Sequence, residues 1–214
     1  MEESTPREKI LKRIRKALLN KAPRESVVSL DFETPVFPVS EDPLEICFAQ
    51  NFSEAGGKFF FCADNKELID NVDFLLKENK WGTAICEEEI LQGLLEIAEI
   101  NFVPVFEKNM PAITTCEALI ARTGSVMVSL SQGSSSQAFF QSPALVVVAF
   151  TSQLVYEVKE AIQQLKEKYD GVLPSSFHVI SNPAGLDYQG NEGAIQNPRD
   201  LYVFLMDDLM VDPE

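Results

Sequence analysis

Seven consecutive apolar residues, Ala-Leu-Val-Val-Val-Ala-Phe at 144–150, restrict most severely what this chain can fold into. The run is far shorter than the ~20 residues of a membrane span. Its valine content suits a pleated strand better than a helix. A strand that never alternates with polar residues has no solvent face, so the run predicts a central strand covered on both sides.

Upstream, the periodicity switches regularly between strand and helix. Residues 58–62 read as a short aromatic strand, and 65–79 as a helix with Leu68, Ile69, Val72, Leu75 and Leu76 on one face. Residues 83–86 are strand-like, 87–98 are helical through Ile90, Leu91, Leu94 and Leu95, and 100–106 are strand-like again. Such alternation predicts right-handed crossovers and a parallel sheet. A helix precedes it, with Asp42 as N-cap, Pro43 in the first turn and Glu45 at the third position. Leu44, Cys47, Phe48, Phe52 and Ala55 form its apolar face, and Gly56-Gly57 ends it. Downstream, 152–169 read as a helix with Leu154, Val155, Val158, Ala161, Ile162 and Leu165 inward, and 177–180 and 201–206 as strands. The fold class expected is α/β, an open and mostly parallel sheet flanked by helices.

The N-terminal part is separate in character. Residues 1–20 carry an amphipathic helix, with Thr5 as cap, Pro6 and Glu8 in the first turn, and an apolar stripe of Ile10, Leu11, Ile14, Ala17 and Leu18 among basic residues. Residues 21–41, broken by Pro23, Pro35 and Pro38, read as an extended linker, and 42–210 as the main domain.

A net charge of −15 disfavours nucleic acid as a partner, because phosphates must be neutralised by lysine and arginine. No apolar run reaches the length of a membrane span, and Met1-Glu2-Glu3-Ser4 does not begin like a secretory signal, so the expected location is cytoplasmic. Cys47, Cys62, Cys86 and Cys116 are widely spaced without a C-x-x-C pair, which points to reduced structural thiols and to neither a metal nor a cofactor in this chain. The acidic run Glu87-Glu88-Glu89 reads as a solvated helix start.

A single histidine, His178, lies inside a predicted strand, and both glycine-rich nucleotide fingerprints are absent. Candidate chemistry therefore falls on polar segments after strands, where open α/β sheets bind ligands. One is the Thr123-Gly124-Ser125 turn, at which residues 117–130 pivot as a hairpin or as a short helix-to-strand connection. Another is the hydroxyl-rich loop with Ser131, Gly133 and Ser134, able to present backbone N–H groups to an anion. A third is the long loop from 181 to 199, with Asn182, Asp187 and Arg199. These nine residues are the candidates for binding a small carboxylate or phosphate; no catalytic residue is singled out.

Several short motifs resemble, in order, those of the lactate-utilisation protein C family, which is built on the LUD domain. They are Arg7-Glu8-Lys9-Ile10-Leu11 with Ile14-Arg15 and Ala17-Leu18, then Ala118, Ile120-Ala121 and Thr123-Gly124-Ser125, then Ile180-Ser181 with Pro183, and Asn197-Pro198-Arg199-Asp200-Leu201-Tyr202-Val203. The resemblance implies a fold similar to the CoA-transferase and ribose-5-phosphate-isomerase group, and a role in oxidising L-lactate to pyruvate. It implies iron–sulfur clusters in partner subunits rather than here. Homo-oligomerisation, and whether the chain itself catalyses a step, are left open.

The sequence departs from that family's usual pattern at three places. Arg122-Thr123-Gly124-Ser125 stands for Glu-Thr-Gly-Thr, Asn182-Pro183-Ala184-Gly185-Leu186-Asp187 for Gly-Pro-Ser-Arg-Thr-Ala-Asp, and Gln196-Asn197-Pro198 for His-Gly-Pro. The alternatives are thus a catalytically degenerate scaffold or small-anion-binding module on the same fold, and an independent CoA-transferase or sugar-phosphate isomerase.

Overall fold

Ala144–Phe150 forms strand β5, and in the computed structural model it lies between two parallel neighbours. The structure describes residues 42–98, 100–103, 105–107, 109–129, 141–171, 173–174, 176–181 and 200–208. The chain divides into units Met1–Ser40 and Glu41–Glu214, and all described residues belong to the second. The predicted N-terminal helix and most of the linker fall in the first unit and lie outside the described residues.

In chain order the elements are α1 (Leu44–Glu54), β1 (Lys58–Cys62), α2 (Asn65–Glu78), α3 (Glu89–Leu95), β2 (Ala112–Thr115), β3 (Ala118–Ile120), β4 (Ser125–Ser129), β5, β6 (Leu154–Val155), α4 (Val158–Lys168), β7 (Phe177–Ile180) and β8 (Asp200–Met206). Sheet 1 has the order β1-β8-β5-β2 and is parallel throughout. Single parallel bridges, Ile85 to Ala112 and Ala84 to Phe102, extend it beyond β2. Sheet 2 has the order β6-β3-β4-β7; β3 and β4 form an antiparallel hairpin, and β6 joins β3 in parallel.

The alternation along β5 shows why an all-apolar strand is required. Leu145, Val147 and Ala149 face one core with Phe48 and Phe52 of α1, Leu119 of β3 and Val126 of β4. Ala144, Val146 and Val148 face the other core, with Leu68, Val72, Leu75 and Leu76 of α2 and Leu91 and Leu95 of α3. At about 1.5–3 kcal/mol for each large aliphatic side chain removed from water, a polar residue anywhere on β5 would be costly. Beyond sheet 2 a smaller cluster of Ala118, Ile120, Met127 and Val155 packs under Ala161 of α4. The layers run from α2 and α3 through sheet 1 to α1 with sheet 2, and then to α4.

Four local expectations are corrected. The first residue of α1 is Leu44 with Pro43 at the cap position, one residue later than a cap at Asp42 would set it. The helix expected over 152–169 begins only at Val158, because Leu154 and Val155 pair with Leu119 and Ile120 as β6. Glu160 marks the true start: its carboxylate accepts the N–H of Tyr156 at 2.8 Å. Ile90, expected inward, is 91% exposed, since the buried face of α3 is Leu91 and Leu95. The strand-like segments 83–86 and 100–106 contribute isolated bridges rather than strands.

Candidate functional site

The polypeptide turns sharply between β3 and β4, through a short 3-10 turn at Ala121–Thr123 and Gly124 in the left-handed region at φ +57°. Helix α1 lies against this turn. Asn51 donates through Nδ2 to the carbonyls of Ala121 at 2.8 Å and Arg122 at 3.2 Å, satisfying two acceptors that the sheet does not use. Of the nine sequence candidates, Thr123, Gly124 and Ser125 are placed here. Ser131, Gly133, Ser134, Asn182, Asp187 and Arg199 lie outside the described residues.

The three placed residues divide by role. Gly124 is buried and supplies the turn. Thr123 is exposed and Ser125 is 2% exposed, and their hydroxyls bond at 2.8 Å. Ser125 Oγ also lies 2.7 Å from Ser181 Oγ, at the end of β7. Three hydroxyls thus meet at one end of sheet 2, where β4 begins and β7 finishes. Hydroxyls can rotate to donate or accept, so the cluster can serve a carboxylate or phosphate oxygen as well as a neutral group.

A second polar group lies where β2 ends and the hairpin begins. The Glu117 side chain is 1% exposed, yet it accepts three bonds: from Lys168 Nζ at 2.8 Å, Tyr169 OH at 2.8 Å and Ser129 Oγ at 2.5 Å. Burial works against its charge, but the bonds from Lys168, Ser129 and Tyr169, with the lysine charge, outweigh it and hold the carboxyl below the usual range. Burial likewise opposes the charge on Lys168, and the bond to Glu117 more than offsets it, so its ammonium is held above its ordinary value. A saturated carboxylate of this kind anchors α4 to the hairpin and has little capacity left to take a proton from a substrate.

The carboxyl ends of sheet 1 are rimmed with acids that are also occupied. Glu88 accepts from Thr114 Oγ1 at 2.6 Å and from the Thr115 N–H at 3.0 Å, so the middle of the acidic run turns inward instead of being solvated throughout. Asp208, just past β8, accepts from Thr151 Oγ1 at 2.6 Å and the Ser152 N–H at 3.0 Å. Partial burial opposes its charge, but bonds from Ser152 and Thr151 prevail and keep its carboxyl low. Among the described residues no three His, Cys, Asp or Glu side chains gather to hold a metal ion. His178 sits on β7 opposite Val128.

Sequence reasoning missed Asn51, Glu117 and Lys168. A signal existed for two of them: Asn51 is polar between the apolar Cys47 and Phe52, and Glu117 is the acid in an otherwise apolar stretch around the hairpin. Lys168, one of several lysines near the end of a helix, carries no such mark.

A family model described as LUD domain matches residues 47–206. No curated protein matches the chain. Among solved structures, a DUF162 family protein from Deinococcus radiodurans aligns at 14% identity and TM-score 0.61, covering 79% of this chain and 99% of that one, and shows the fold. Ribose 5-phosphate isomerase from Plasmodium falciparum aligns at 10% identity and TM-score 0.30, over 53% of this chain and 54% of its own, too slight a likeness to carry an argument.

Proposed function

The chain belongs to the LUD-domain family, and on that premise we propose that it is a subunit of an L-lactate utilisation system, acting with iron–sulfur partner subunits in the cytoplasm. The observation that carries the reading is the match itself, which runs from α1 to the end of β8.

Oxidising lactate to pyruvate releases two electrons and two protons, and the electrons require an acceptor. The cysteines of this chain are widely spaced and offer no close pair to hold one. Burial raises the Cys62, Cys86 and Cys116 thiols, Cys86 to about 12, which suits structural thiols of the cores. Clusters in partner subunits supply the acceptor in this reading. The chain's own contribution in this reading is to hold the small carboxylate, with the hydroxyls of Thr123 and Ser125 as contacts and Ser131, Gly133, Ser134, Asn182, Asp187 and Arg199 as the further sequence candidates. A guanidinium such as Arg199 grips a carboxylate through two parallel bonds. Among the described residues no helix is long and apolar enough to cross a membrane.

The test is affinity purification of the full chain from its native host, with absorption and electron paramagnetic resonance spectra of what accompanies it. An iron–sulfur protein in fixed proportion, together with lost growth on lactate when the gene is deleted, is the expected result. Purification as a lone polypeptide with lactate growth intact sinks the proposal.

A further inference from the structure

Helix α3 has two apolar faces, and among the described residues only one packs into a core. Leu91 and Leu95 are buried at 3% and 0% in the core beneath sheet 1. On the other side Ile90 is 91% exposed and Ile97, in the 3-10 turn Glu96–Ala98 that continues the helix, is 76% exposed. Between them lie Gly93, which is exposed, and Leu94, which is half-buried. These four residues occupy positions i, i+3, i+4 and i+7, the four corners of the hole into which a facing helix inserts one side chain.

Gly93 is the second observation. Glycine inside a helix is unfavourable relative to alanine, and the usual reasons for keeping it are absent. Its φ is not positive, and a Cβ built on it meets no atom within 4 Å. Nothing in this chain's described residues requires a bare backbone there. A helix approaching from outside would require it, because Gly93 forms the floor of a notch walled by Ile90 and Ile97, which are about 10 Å apart along the axis. The rim gives the approaching helix its sign: Glu87, Glu89 and Glu96 are all exposed around the notch. The same acids would face one another if two copies met through this surface, which disfavours self-pairing.

We propose that the outward face of α3 docks a basic amphipathic helix of another polypeptide, seating one apolar side chain of that helix in the hole of Ile90, Gly93, Leu94 and Ile97. The proposal stands on the helix alone and does not depend on the lactate reading.

The experiment measures fluorescence anisotropy of a labelled synthetic helix, leucine on one face and lysine on the other, titrated with the full chain. Two control peptides are used: one with glutamate for every lysine, and one of the same composition with its leucines scattered. The expected result is saturable binding of the first peptide alone, weakened at least ~10-fold by Ile90→Ser with Ile97→Ser, roughly the effect of losing one buried aliphatic contact. Gly93→Ala gives the sharper readout: it should raise the melting temperature, as removing a helical glycine does, while weakening the peptide complex. Triple replacement of Glu87, Glu89 and Glu96 by Gln should flatten the salt dependence. Equal binding of the scattered peptide, or no effect of the double serine variant, overturns the proposal. So does a dimer of the chain alone in sedimentation velocity that the same double variant abolishes.

Discussion

A Cβ added to Gly124 would lie 2.3 Å from the backbone nitrogen of Phe52, so the β3–β4 turn and helix α1 touch main chain to main chain. No side-chain rearrangement can relieve that contact, because the obstructing atoms belong to the helix backbone. The φ of +57° adds a second penalty for any L side chain. Gly124→Ala is therefore expected to destabilise the fold by about 2–4 kcal/mol, combining left-handed strain with overpacking. Urea unfolding of the variant checks this; a midpoint within error of the parent would mean that α1 yields more easily than its packing indicates.

Glu117 predicts an acid-labile contribution to stability. Its folded-state carboxyl is held low, although burial pulls the other way, by Lys168, Ser129 and Tyr169. A depressed folded pKa means that the stabilisation is full above the unfolded value of about 4.3 and disappears as pH falls through the folded value. Lys168, held high, has the opposite sense: its share is present below the unfolded value of about 10.4 and is lost as pH rises through the folded one. Glu117→Gln should cost about 1–3 kcal/mol at neutral pH, the range for losing hydrogen bonds to a charged group, and should flatten the acid limb of the stability curve. Chemical denaturation between about pH 3 and 7 reads both effects. The half-exposed Lys168 can turn to solvent once unpaired, which keeps the cost below that of a fully buried broken pair.

The fold was legible in the sequence where one demand dominated locally. The uninterrupted apolar run 144–150 could only be a strand covered on both faces, and β5 is one. The stripe of Leu68, Ile69, Val72, Leu75 and Leu76 keeps a regular helical period, and α2 is the helix it predicts. Legibility failed where a tertiary partner decided. Leu154 and Val155 fit a helical stripe, but β3 offered them a strand to pair with. Ile90 and Leu91 are equally apolar neighbours, and only the position of sheet 1 assigns the buried face. The Thr123-Gly124-Ser125 turn was visible through its glycine, whereas the Asn51 clamp on it bridges residues far apart in sequence. That same contact makes the turn a fold element as well as a ligand candidate.

Thiol accessibility gives an independent check on the cores. Cys47, Cys62, Cys86 and Cys116 are all unpaired and buried. Burial raises Cys62 despite an opposing bond from Asn71; it raises Cys86 to about 12, helped by the charges of Glu88 and Glu87; and it raises Cys116, beside Glu117, as well. Since the thiolate is the reactive species, the native protein should react negligibly with a disulfide reagent at about pH 8, where a free thiol is substantially ionised. All four should react after denaturation. Rapid labelling of any one of them in the folded state would mean that its core opens locally at low cost.

Arg122 stands in the turn between β3 and β4, and the structure offers a partner for its charge. Its Nε lies 3.3 Å from Oε1 of Glu157, the residue before α4, while its backbone N–H bonds to the Tyr156 carbonyl at 3.1 Å. The main-chain bond fixes the turn against the end of β6 whatever the side chain, so the charge pair is the part a substitution tests. Arg122→Glu would set two carboxylates against each other in place of an ion pair. With Glu157 nearly half exposed, screening limits the loss to about 0.5–1 kcal/mol. Glu157→Arg alone should cost a similar amount through two facing guanidinium groups. Combining the substitutions should recover most of the loss, and a thermodynamic cycle over the four proteins measures the coupling directly. A coupling near zero would show that the arginine side chain is held by other contacts and that its charge is incidental to the turn.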